Sequence, residues 1–161
     1  MIVVSDTSPL NYLVLTQHVE ILPPLFGRVV APPAVISESQ HPGTPQVVRA
    51  WVEAAPTWLE TRAPTSVDPS LGLGQGEAEA ISLARELHAD AVLIDERKGV
   101  IVARQLGLFA TGTLGVLEIA AEKGLINLAQ AIAALRQTSF RVSEQLLEEV
   151  LQRDRNRRRL L

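Results

Sequence analysis

The chain has 161 residues, 47% of them hydrophobic, and a formal net charge of −3. That length allows one domain with a sizeable core and is too short for two, while the acidic balance provides no global basic field, so any nucleic-acid contact must use local patches. The lack of cysteine excludes disulfides and thiolate metal sites, no run of about 18 apolar residues marks a membrane span, and the N-terminus lacks a signal-peptide pattern, so a cytoplasmic protein with no membrane partner is expected.

In chain order, Ile2–Ser5 reads as a strand and Asp6 follows it. Ser8 and Pro9 suit the cap and first position of a helix to about residue 17. A second helical stretch near 19–26 contains Pro23 and Pro24, so it is short or broken, and Gly27 stops it. Arg28–Ala31 is the second strand, and Pro32-Pro33 opens a helix carrying Glu38 one turn in. Residues 41–45 form a loop, and 46–55 a short amphipathic helix with Val47, Val48, Trp51 and Val52 inward. Trp51 and Trp58 read as packing residues, since no basic residues are interleaved with them. Residues 58–61 make a short strand and 63–70 a polar connector.

Residues 73–98 organise the rest of the chain. The glycines at 72, 74 and 76 match neither a dinucleotide fingerprint nor a phosphate-binding Walker loop; they aim a helix starting at Glu77, with Ile81, Leu83, Ala84 and Leu87 inward. The strand 91–94 then delivers Asp95 and Glu96. A helix over Arg97–Gln105 places Arg97, Lys98 and Arg104 beside the acids, where they balance charge or meet a phosphate. A strand at 108–111, a helix at 116–123 and two amphipathic helices, about 128–137 and 143–153, complete the chain. The basic tail from 153 reads as a solubilising helix end, with RNA binding as the alternative.

Apolar runs without polar alternation suit strands buried on both faces of a parallel sheet. In such sheets ligands bind beyond the carboxyl ends of the strands, so Asp6 and Asp95 share one crevice if their strands are neighbours. Asp6 alone reads equally well as a helix cap. Glu38, an ordinary surface glutamate by itself, lies on the same predicted edge, and Glu77 stands at a helix mouth. Uncompensated carboxylates in one crevice repel each other unless a cation or a proton intervenes, and Mg²⁺ or Mn²⁺ is the natural partner for oxygen ligands. His18, His41 and His88 read as ordinary surface histidines.

Four short stretches, Val4-Ser5-Asp6-Thr7-Ser8-Pro9-Leu10, Gly76-Glu77-Ala78-Glu79-Ala80-Ile81, Leu93-Ile94-Asp95-Glu96 and Gly112-Thr113-Leu114-Gly115, in this order and spacing resemble a PIN-domain protein. The resemblance is to the prokaryotic PIN-like branch related to VapC-type toxins, and it covers nearly the whole chain. It implies a three-layer α/β/α fold with a central parallel sheet and a metal-dependent ribonuclease site. Asp6, Glu38, Glu77 and Asp95 would be the catalytic acids, with Mg²⁺ or Mn²⁺ on Asp6, Glu77 and Asp95. Ser8 would support the first strand corner, and Glu79 or Glu96 would also reach the cluster. Glutamate stands at the third position, where many PIN sequences have aspartate. The resemblance further implies RNA as substrate, a homodimer and, for a toxin, a small antitoxin partner. A non-catalytic RNA- or protein-binding module is the alternative. A receiver or haloacid-type phosphatase fits poorly, for lack of a lysine after the strand at 108–111 and of a second aspartate at position 8.

Overall fold

The computed structural model describes residues 1–161. Strand β1 (Ile2–Ser5) leads into helix α1 (Thr7–Leu15). A single 3₁₀ turn (Val19–Ile21) and helix α2 (Leu22–Phe26) follow, and Gly27, at φ +76°, turns the chain into β2 (Arg28–Ala31). Next come α3 (Pro33–Ser39), α4 (Gln46–Glu53), β3 (Leu59–Thr61) and, after the polar connector, α5 (Gln75–Glu86). The second half contains β4 (Ala91–Leu93), α6 (Arg97–Gln105), β5 (Ala110–Thr111), α7 (Thr113–Glu122), α8 (Leu128–Arg136) and α9 (Glu144–Arg159).

The five strands form one parallel sheet in the order β3-β2-β1-β4-β5. β1 is central, and the strand order reverses between it and β4. Side chains alternate across the pleat, so Val3, Val29 and Leu93 enter one core while Val4, Val30 and Val92 enter the other. Helices α1 to α4 and α7 to α9 cover the first face, and α5 and α6 cover the second. This is the expected three-layer α/β/α sandwich. The helices on either side of the reversal lie on opposite faces, as right-handed crossovers require. No helix is long and apolar enough to cross a membrane.

Several boundaries differ from expectation for identifiable reasons. The first helix is capped at Asp6, not Ser8, and Pro9 is its third residue; a proline there loses nothing, because the first four N–H groups of a helix have no partner within it. Val47 is 56% exposed, while Val48 and Val52, one turn apart, take the core side of α4. α5 begins two residues before Glu77, and α7 three residues before the expected start at 116. The basic tail continues α9 to Arg159, where Arg153 pairs with Glu118 at 2.9 Å and Arg157 and Arg158 flank the buried Asp154. Those arginines are tied into the fold, not frayed. Trp51 and Trp58 pack at 5.8 Å, as their reading as packing residues requires.

Candidate metal centre and its cleft

The carboxyl ends of β1 and β4 open into a cleft of about 700 Å³. Asp6 is held against β4 by its N–H, which donates to Leu93 O at 2.9 Å and extends the ladder one residue past the strand. Asp95 leaves the neighbouring strand two residues after Leu93. Its carboxylate accepts from Thr113 N at 2.6 Å, Thr113 Oγ1 at 2.7 Å and Ser8 Oγ at 2.8 Å, so three donors from two helix starts fix its orientation. Glu38, on α3, accepts from Thr7 Oγ1 at 2.6 Å and from Gly76 N at 3.2 Å. Glu77 enters from the first turn of α5, and Glu96, at the start of α6, stands within hydrogen-bonding reach of it. All five acids line the cleft.

None of the five has a basic partner, and the electrostatic cost falls on two of them. Burial pushes the Asp6 carboxyl up to about 6, opposed by the Thr7 N–H and reinforced by the charges of Glu38, Asp95 and Glu96. Burial, then the charges of Asp6 and Glu96, pushes Glu77 up to about 7. Asp6 Oδ1 and Glu77 Oε2 are buried with no hydrogen-bond partner. Buried polar atoms are ordinarily satisfied, so these two oxygens mark a place where something positively charged or proton-bearing belongs.

Three glycines make the room. A Cβ on Gly76 would lie 2.8 Å from both oxygens of Glu38, one on Gly99 2.9 Å from Glu77 Oε2, and one on Gly112 2.5 Å from Asp95 Oδ1. Each glycine is the seat of one carboxylate. The donor set consists of hard oxygens, the kind Mg²⁺ and Mn²⁺ take. No three of these acids are placed to hold one ion together in this structure, so the fit to a cation rests on the two unpartnered oxygens of Asp6 and Glu77, and an ion there would keep several waters. The residues present therefore fit a divalent cation.

The sequence matches the DUF3368 family of PIN domains over residues 2–156. The chain belongs to the PIN-domain family. PIN domains are in general a nuclease fold. A PilT N-terminus domain protein, SSO1118 from the hyperthermophilic archaeon Sulfolobus solfataricus P2, is similar at 18% identity and a TM-score of 0.49, covering 89% of this chain and 100% of that one. No curated protein is significantly similar in sequence.

Among the residues singled out from sequence, this PIN domain brings together Asp6, Ser8, Glu38, Glu77, Asp95 and Glu96. Glu79 does not join them. It is two residues beyond Glu77, about 200° around the helix, and accepts from Ala34 N at 3.3 Å at the start of α3 and from Gln75 Nε2 at 3.2 Å. Arg97, Lys98 and Arg104 are not on the cleft lining either: Lys98 Nζ donates to Gly72 O at 2.7 Å, and Arg104 to Ala110 O at 3.3 Å. The three histidines lie outside it as well. Sequence reasoning missed Thr7 and Thr113 as donors, the three seats, and a wall made of Asn11, Tyr12, Ser139, Phe140 and Arg141. Gly99 carried a signal, since a glycine inside a helix costs about 1 kcal/mol and calls for a packing reason.

Proposed function

We propose that this PIN domain is a ribonuclease that hydrolyses RNA phosphodiester bonds with Mg²⁺ or Mn²⁺ held by Asp6, Glu77 and Asp95, Glu38 bearing on the ion directly or through water. The observation that carries the reading is the pair of buried, partnerless oxygens on Asp6 and Glu77, two residues lining one cleft, with their carboxyls raised to about 6 and 7. A divalent ion bound there would activate water and offset the charge developing on phosphorus. The residues supply the rest. Ser8 and Thr113 hold Asp95, Thr7 and Gly76 hold Glu38, and Glu77 with Glu96 forms the pair from which the acceptor of the water proton is drawn.

The test is cleavage of a mixed pool of structured and single-stranded RNA with Mn²⁺, Mg²⁺ or EDTA, using wild type and Asp95→Asn purified side by side. Metal-dependent cleavage that falls at least about 100-fold in the variant supports the reading; equal inertness, or equal activity, removes it. A second reading, a module that binds RNA or protein without turnover, is favoured by the open arrangement of the carboxylates. The same assay separates the two. The proposal extends to a cytoplasmic homodimer acting as a toxin restrained by a small antitoxin, a reading that rests on the resemblance of the four sequence stretches to VapC-type toxins. Growth arrest on expression, relieved by Asp6→Asn, is its expected sign, and normal growth of both strains counts against it.

A further inference from the structure

The loop between α8 and α9 lies far in sequence from every acid of the cleft, yet Ser139, Phe140 and Arg141 line that cleft. The Phe140 ring meets Tyr12 edge-on at 5.0 Å, and the Tyr12 hydroxyl hydrogen-bonds Ser139 Oγ at 3.0 Å. Tyr12 belongs to α1, the helix whose first residues, Thr7 and Ser8, hold Glu38 and Asp95. The aromatic wall is thus built in register with the acids. Arg141 is exposed and has no carboxylate partner. It is the single cationic side chain on the cleft lining.

Beyond this wall the cleft continues into a groove of about 270 Å³ that also contains Asp95, Thr111 and Arg104. Phe140 and Arg141, with Asp95, line both spaces and so stand where the two meet. Asn11, on the main cleft only, adds a buried amide oxygen with no partner. Aromatic faces with an adjacent guanidinium are how proteins hold an unpaired nucleotide: the ring stacks the base and the cation meets a phosphate.

We propose that Phe140 and Arg141 seat the nucleotide next to the scissile phosphate, Phe140 stacking its base and Arg141 pairing with its phosphate, with Asn11 accepting a hydrogen bond from the sugar or base. This assignment rests on the nuclease reading of the same cleft and gives that cleft its substrate-contacting side. It also resolves an electrostatic difficulty, since five acids repel a polyanion and an approaching strand needs one fixed cation beside them.

The experiment uses the full chain carrying Asp95→Asn, so that the strand is not cut, and a fluorescein-labelled oligoribonucleotide of about ten nucleotides with Mn²⁺ present. Arg141→Gln is expected to weaken binding about tenfold and to flatten the dependence of log affinity on log salt by about 0.7, the share of one phosphate on a single strand. Arg141→Lys restores part of the loss. Phe140→Leu keeps an apolar side chain against Tyr12 and is expected to weaken binding about tenfold with the salt dependence unchanged. Melting temperatures close to that of the parent show that neither effect is unfolding. Unchanged affinity and salt dependence in Arg141→Gln overturn the assignment, whatever Phe140→Leu does. Wild type that fails to cleave while both variants still lose affinity removes the nuclease reading and keeps the wall; cleavage by wild type with affinity indifferent to both variants does the reverse.

Discussion

Replacing Asp6 with asparagine tests the electrostatics of the cleft without any substrate. Asp6 is 6% exposed, and its carboxyl titrates at about 6 where 3.8 is usual. Below about pH 4 the group is protonated in folded and unfolded chains alike, and nothing is lost. Between there and pH 6 only the unfolded chain releases the proton, so stability falls as pH rises; above pH 6 the deficit is constant. At 1.36 kcal/mol per pH unit, the rise from 3.8 to about 6 corresponds to about 3 kcal/mol. Glu77, raised to about 7 but partly exposed, extends the fall with a smaller share because solvent screens it.

Asparagine removes the charge and introduces an amide donor whose unsatisfied burial costs about 1–3 kcal/mol at every pH. Asp6→Asn is therefore expected to be less stable than wild type at pH 4, and the gap should close or invert by pH 8 in EDTA. The quantity to read is the change in that gap, about 3 kcal/mol, by urea denaturation across the range. Added Mn²⁺ at pH 8 should stabilise wild type and affect the variant less. A wild type whose stability is flat from pH 4 to 8, or a gap that stays constant, refutes the reasoning.

Gly99→Ala should destabilise the protein by about 1–3 kcal/mol despite the better helix former, because the new Cβ meets Glu77 Oε2 and the buried Ile94 Cγ2 at 2.9 Å; denaturation checks the stability, and a weaker Mn²⁺-induced stabilisation checks the displaced carboxylate. Glu79→Gln should leave RNA cleavage unchanged and cost under about 1 kcal/mol, since its carboxylate meets only the Ala34 N–H at the start of α3 and the Gln75 amide. Arg153→Ala should lose at most about 1 kcal/mol, as expected for a half-exposed pair with Glu118, and should not alter the affinity for an oligoribonucleotide; a large loss of affinity would return the C-terminal helix to the RNA-binding surface.

Asp6 and Asp95 were legible because each follows an uninterrupted apolar run, and such runs become neighbouring strands of a buried parallel sheet. Glu38 and Glu77 were legible by their place just after a loop opens into a helix. Glu79 could not be told from Glu77 by local pattern, because their separation on α5 depends on where the helix starts, and it starts two residues earlier than expected. Likewise Ser8 looked like a cap, yet its hydroxyl serves Asp95, 87 residues away. The basic residues of α6 were placed beside the acids by sequence proximity, whereas Arg97 is exposed, Lys98 reaches Gly72 O and Arg104, in the last turn, reaches Ala110 O. Arg141 gave no sign at all: only the packing of α8 and α9 against the sheet carries that loop back to the cleft.

The glycine seats change what an intact site means when related chains are compared. A chain with every acid in place but alanine at the position of Gly99 or Gly112 keeps the charge pattern and loses the space in which those carboxylates rest. Scored by acids alone it passes for competent, and scored by glycines it does not. The backbone hydrogens at these positions are as diagnostic of a working cleft as the carboxylates they accommodate.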